Sequence, residues 1–167
     1  MIEIIDATTP AQITQVRELF TELFNFTRAI EPDLDMSAIP AFGDVEIEMQ
    51  NLPGKYAPPR GRLKLALSDN QPAGCFALKP IDKSTCELKR LWVRPAFRGE
   101  QIGWKLTETL IADARRIGYQ RMILDTHRSL TRAQSIYHGL GFESIAPPDD
   151  APAIIKELAV FMALDLR

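Results

Sequence analysis

A chain of 167 residues, 46% hydrophobic and 25% charged, has the composition of an ordinary globular protein with enough length to bury a real core. Its net charge of −2 removes any global attraction to nucleic acid or anionic membranes, so neither is expected as a partner. Two cysteines support neither a disulfide framework nor a zinc quartet, no apolar run is long enough to span a bilayer, and the first residues lack the basic-then-apolar pattern of a leader; one cytoplasmic domain over 1–167, without a metal, is the expectation.

Residues 2–5 read as a short strand. Thr8, Thr9 and Pro10 then start a helix with a hydroxyl cap and a first-turn proline, and Ile13, Val16, Leu19, Phe20, Leu23 and Phe24 recur at helical spacing to about Thr27. A second, acid-rich helix is expected over 42–52, before Pro53 and Gly54. Residues 56–61 form a loop, and three strands follow at 62–68, 73–80 and 86–93, separated by polar turns as in an antiparallel meander. An amphipathic helix is expected over 104–117, ended by Gly118, then a strand at 121–126 and a helix at 131–140, stopped by Gly141. Strands at 142–145 and 158–166 close the chain, with an exposed proline- and aspartate-rich loop over 146–156 between them. The coarse result is a mixed α/β or α+β domain with one central sheet.

Two motifs carry chemistry. Arg98, Gly99, Glu100, Gln101, Ile102 and Gly103 lie between a strand and a helix start. The first amides of a helix lack intrahelical partners and sit at the positive end of its dipole, glycine lets backbone approach an anion, and arginine adds charge, so the segment suits a diphosphate. It lacks the lysine-containing ending of a triphosphate loop and the full glycine pattern of a dinucleotide loop. In the second motif, Ala133, Ile136, Tyr137 and Leu140 share a helical face just before Gly141 and Phe142.

Taken together, the chain resembles the GCN5-related N-acetyltransferases (GNAT), along essentially its whole length. Arg98 to Gly103, preceded by Leu91, Trp92 and Val93, matches that family's diphosphate loop in order and context, and Ala133, Tyr137, Gly141 and Phe142 match a later family motif. The resemblance implies a mostly antiparallel mixed sheet of about six to seven strands, flanked by about four helices and splayed between strands four and five. It also implies acetyl-CoA as acyl donor, held by Leu91, Trp92, Val93, Arg98, Gly99, Glu100, Gln101, Ile102, Gly103, Trp104, Ala133 and Tyr137. Gln101 stands where the family usually has a glycine, and Leu130 where many members have an asparagine. Ordinary helical or bridge angles at Gln101 would leave the amides free for phosphate; a positive φ would strain a glutamine, and tolerance is the expectation.

The same resemblance implies direct attack of a primary amine on the thioester, with neither cysteine reacting. A backbone N–H near Leu91 to Val93 would polarise the carbonyl and Tyr137 would protonate the leaving sulfur. The base is open between Glu87 and Asp125, with His127 and His138 as alternates, and Glu87 has a structural alternative in pairing with Lys89. Asp33, Asp35, Asp44, Glu46 and Glu48 are an acidic set suited to attracting a cationic amine. The acceptor is expected to be a small molecule, amino acid or peptide, with a homodimer among the expectations. A protein-acetylating enzyme and a non-catalytic acyl-CoA-binding module are the competing functions.

Overall fold

A computed structural model describes residues 1–39 and 43–167, so Phe42 of the expected second helix lies outside the described residues. In chain order the described elements are β1 (Ile2–Asp6), α1 (Pro10–Ile30), α2 (Val45–Gln50), β2 (Arg62–Ser68), β3 (Gln71–Pro80), β4 (Thr85–Val93), α3 (Ile102–Ile117), β5 (Arg121–His127), α4 (Thr131–Gly139), β6 (Glu143–Ile145), α5 (Ala153–Leu158) and β7 (Ala159–Asp165). The seven strands form one sheet in the order β1-β2-β3-β4-β5-β7-β6, antiparallel throughout except for the β4/β5 pair. This is the expected fold class, with five α-helices among the described residues rather than about four.

Local chemistry explains the elements. At the start of α1 a capping box satisfies orphan amides: the Gln12 N–H donates to Thr9 Oγ1 at 3.3 Å and the Thr9 N–H donates to Gln12 Oε1 at 3.0 Å. The helix runs one turn beyond Thr27, to Ile30. Asp69 and Asn70 take φ of 47° and 68° between β2 and β3, a two-residue hairpin turn in the left-handed region that short Asx side chains tolerate, so β3 starts at Gln71. The stretch expected as loop over 146–156 holds the start of α5: Pro152 precedes the helix, and Ala-Ile-Ile-Lys-Glu-Leu are compatible with a helix too short to show a period.

Alternate side chains of the central strands feed two cores. Leu63, Leu65, Cys75, Ala77 and Trp92 pack with Val16, Leu19, Phe20 and Phe24 of α1 on one face. Ala66, Phe76, Leu78, Cys86 and Leu88 pack with Leu106, Leu110 and Ala114 of α3 and Tyr137 of α4 on the other. Burial pushes the Cys86 thiol up to about 12 and raises that of Cys75 further, so both are inert apolar filling.

Two features shape the centre of the sheet. First, β4 and β5 pair only over Thr85↔Arg121, Cys86↔Met122 and Glu87↔Ile123, then part. The edge of β4 from Leu88 to Val93 thus faces an opening rather than a strand. Second, β4 carries one extra residue against β3, between the pairs Ala77↔Lys89 and Cys75↔Trp92, and Arg90 sits in that bulge with φ of 69°. The Arg90 guanidinium donates to both oxygens of Glu48, Nε to Oε2 at 2.9 Å and Nη2 to Oε1 at 3.1 Å, and lies 4.9 Å from the Phe24 ring centre. Tyr56 Oη donates to Glu48 Oε1 at 3.0 Å, and Lys55 pairs with the same carboxylate. The bulge is thereby tied to α2 and the turn after it.

Candidate active site

The loop between β4 and α3 closes with two left-handed residues, Gly99 at φ 99° and Gln101 at φ 60°, ψ 23°. Gln101 therefore has the positive φ that a glutamine takes only under strain, contrary to tolerance through ordinary angles, and as a consequence α3 begins at Ile102, two residues earlier than expected. Ile102 is buried and anchors the turn against the sheet. No side chain caps the helix, which leaves its first amides uncommitted to any cap. Gly103 lies against Ile136, where a Cβ would come within 3.1 Å of Cδ1. Arg98 stacks over Trp92 at 5.5 Å from the ring centre, Trp92 Nε1 donates to Glu22 Oε2 at 2.9 Å, and Arg94 clasps the same carboxylate. Burial lifts the Glu22 carboxyl, but the bonds from Arg94 and Trp92 outweigh it and hold the pKa below its ordinary value.

In front of this loop lies a groove of about 690 Å³. Leu91, Trp92, Val93, Arg98, Gly99, Gln101, Ile102, Gly103, Trp104 and Ala133, ten of the residues the resemblance assigns to the donor, line it together. Glu100 does not; its carboxylate turns back to accept a hydrogen bond from Ser68 Oγ at 3.1 Å. Leu130, which stands where many members of the resembled family have an asparagine, lines the groove with an apolar side chain.

A smaller cavity, about 180 Å³, opens where β4 and β5 part, and shares Leu23, Leu91, Leu130 and Ala133 with the groove. Tyr137 and Asp125 both line it. Tyr137 is buried between Phe76 and Phe142, and its hydroxyl makes no hydrogen bond to a described residue. Burial, followed by the negative charge of Asp125, raises its pKa, so the phenol keeps its proton at neutral pH. The Asp125 carboxyl is open to the cavity yet flanked by its walls; that desolvation raises its pKa, against the pull of Lys89.

Glu87 is placed elsewhere. It lies on an outer cavity of about 700 Å³ with Lys55, Lys79 and Asp150, and its Oε1 is 3.5 Å from Lys89 Nζ and 3.7 Å from Lys79 Nζ. The structure thus joins Asp125, not Glu87, to Tyr137. His138 is exposed, whereas His127 lines the inner cavity, with Nε2 2.8 Å from Glu31 Oε1 and Nδ1 2.7 Å from Ser129 Oγ. Both of its nitrogens are engaged, which makes it a brace between α1 and β5. Its place two residues after Asp125 is a signal in the sequence; Glu31, 96 residues away, has none.

The acidic set does not face this cavity. Glu48 is neutralised by Arg90 and Lys55, Asp35 caps the turn at Met36–Ala38 through Ser37, and Asp44 lines the outer cavity. Leu34, Met36, Ile39, Ile155 of α5, Leu158 and Ala159 supply apolar lining to the inner cavity, beside Glu31, Lys89, Arg90, Asp125 and His127. None of the helices among the described residues is long and apolar enough to cross a membrane.

Known proteins match this architecture. Residues 14–142 match the family described as Acetyltransferase (GNAT) family. An uncharacterised N-acetyltransferase of Schizosaccharomyces pombe is 37% identical over 108 residues, which are 64% of this chain and 66% of that protein, so the match spans just under two thirds of the relative. An acetyltransferase of the GNAT family from Staphylococcus aureus superposes with a TM-score of 0.76 over all of both chains at 23% identity. A Salmonella typhimurium structure, described as an acetyltransferase with its cofactor acetyl-CoA, superposes with a TM-score of 0.72 over 99% of this chain and 94% of that one at 19% identity. With the family match covering most of its length and the splayed sheet beneath the site, this chain belongs to the acetyltransferase (GNAT) family of acyl-transferring enzymes.

Proposed function

We propose that residues 1–167 form one cytoplasmic domain that moves the acetyl group of acetyl-CoA to the primary amine of a small molecule. The observation that carries this is the junction of two cavities. A groove that begins at an uncapped helix N-terminus runs along the free edge of β4 and abuts a cavity holding a protonated phenol and a carboxylate. The donor fits the residues present: the amides from Ile102 onward and Arg98 suit a diphosphate, and the apolar groove walls suit its pantetheine arm. Bound acetyl-CoA supplies the thioester.

The chain's own groups then have three tasks. An amide of β4 near Leu91 to Val93 donates to the thioester oxygen and stabilises the charge that develops there. Asp125, directly or through a water, takes the proton of the attacking amine as the C–N bond forms. Tyr137 gives its proton to the sulfur as the C–S bond breaks, a role suited to a phenol that stays protonated at neutral pH. The apolar side chains around the inner cavity favour a small acceptor over a lysine on a folded protein. Thiol release from acetyl-CoA, followed across a panel of small amines, tests the reading: turnover with at least one amine is expected. Absence of turnover across the panel would contradict it, and absence of any thermal shift at millimolar acetyl-CoA would remove the donor assignment as well.

A further inference from the structure

Of the charged side chains that line the inner cavity, Arg90 is bound to Glu48 and Glu31 to His127, whereas Asp125 and Lys89 face each other without meeting. Asp125 projects from β5 and Lys89 from β4, just past the point where the strands separate, and both line the cavity. Among the described residues no ion pair within 4.0 Å joins them, and neither side chain hydrogen-bonds another. Lys89 is the more unusual. Its side chain is 15% exposed, yet its nearest carboxylate oxygen, Glu87 Oε1, lies at 3.5 Å and is shared with Lys79 at 3.7 Å. A buried ammonium normally has its three donors committed, because losing water without replacement is costly. One carboxylate shared by two ammonium groups at 3.5 and 3.7 Å leaves Lys89 without a short hydrogen bond at the junction of the inner and outer cavities, both of which it lines.

Building on the acetyl-transfer reading above, we infer that the acceptor is a free α-amino acid with an apolar side chain, its amine held at Asp125 and its carboxylate at Lys89. A carboxylate and an ammonium that flank one small cavity complement a zwitterion whose charges are a single carbon apart. Each group completes bonds that the protein alone leaves unmade. Leu34, Met36 and Ile39 offer the acceptor's side chain an apolar wall. Lys89 is thus a specificity-determining residue that distinguishes a free amino acid from an amide, a peptide or a simple amine. The need for the carboxylate follows from the asymmetry of polar sites: a ligand lacking it displaces water from Lys89 and leaves the ammonium with only its 3.5 Å contact to the shared Glu87 carboxylate.

The test compares L-leucine, L-leucinamide, leucyl-glycine and isoamylamine as acceptors by thiol release. Leucine is expected to exceed the other three in kcat/KM by about ten- to hundredfold, the ratio that a charge-assisted buried contact supports. In Lys89→Met that ratio should collapse toward one, and in Lys89→Arg a preference for the acid should persist, with the acetyl-CoA thermal shift showing that each variant is folded. Equal use of acid and amide by the wild-type protein overturns the inference, as does an unchanged ratio in Lys89→Met. If Lys89→Met does not fold, the wild-type comparison decides alone. Should the wild-type protein release no thiol with any amine, the transfer reading fails separately. Calorimetric titration with leucine and leucinamide in the presence of CoA then decides the carboxylate claim, binding of leucine alone supporting it and binding of both or neither overturning it.

Discussion

Replacing Glu48 by glutamine should destabilise the protein more than any ordinary surface change, because Glu48 is the counter-charge that allows Arg90 to be buried inside a bulge of β4. The two side chains are 7% and 6% exposed and meet through two hydrogen bonds of 2.9 and 3.1 Å, while Tyr56 and Lys55 also bind the carboxylate. Glutamine keeps the shape but cannot neutralise the guanidinium, and breaking a buried pair from one side costs about 3–5 kcal/mol. For a protein of this length each kcal/mol is worth roughly 2–4 °C, so the melting temperature should fall by roughly 6–20 °C. The charge origin gives a second signature. Burial raises the Glu48 carboxyl, but Arg90 and Lys55 outweigh it and hold the folded-state pKa below the usual 4.5. Its stabilisation is therefore fully present above that unfolded-state value and is lost as pH falls through the lower folded-state one. The gap between wild type and Glu48→Gln, measured by thermal melts at several pH values, should be wide and flat above about pH 5 and narrow below pH 4.5. A loss under about 1 kcal/mol, or a gap that does not narrow on acidification, would refute a role for Glu48 as counter-charge.

Three further outcomes follow from the same geometry. Gln101→Gly should raise the melting temperature by roughly 1–4 °C, since relief of a left-handed glutamine outweighs the entropy that glycine adds to the unfolded chain; a fall would mean that the side chain makes stabilising contacts of its own. Arg98→Ala should weaken acetyl-CoA binding about tenfold by calorimetry and lessen its dependence on salt, whereas an unchanged Kd would remove Arg98 from the donor site. Asp125→Asn should lower turnover while leaving the melting temperature at pH 7 nearly unchanged, because the carboxyl, although its pKa is raised by the cavity walls, is open to water that screens it. A variant with undiminished turnover would leave the base to another group.

The sequence carried the strand positions and the diphosphate loop well because both rest on local patterns, while the parting of strands four and five and the residues of the donor groove followed from the family resemblance. The polar turns between β2, β3 and β4, the face of Ala133 and Tyr137 on α4, and glycine flanking a helix start are visible in windows of a few residues. What escaped depends on distance or on uncommon backbone. Nothing in the local sequence distinguishes Arg90 and Gln101 as left-handed residues, because propensity favours that region for glycine and asparagine. The acidic appearance of 44–48 was misleading for a related reason: only a strand 42 residues further on reveals that Glu48 is already neutralised. The sequence left the base open between Glu87 and Asp125 on neighbouring strands, and the structure places Asp125 on the inner cavity and Glu87 on the outer one, near where β4 and β5 part. α5 was hidden because six residues after a proline-rich stretch are too few for a helical period.

The most direct test of acetyl transfer across the two joined cavities is a paired measurement on Tyr137→Phe: kcat for thiol release with the best amine, and the Kd for acetyl-CoA. The variant keeps the ring between Phe76 and Phe142 and removes only the hydroxyl. Loss of a positioned general acid predicts a fall in kcat of about a hundredfold or more with Kd changed less than about threefold. A kcat equal to that of the wild type would contradict the placement of the leaving sulfur beside Tyr137, and with it the assignment of the two cavities to donor and acceptor.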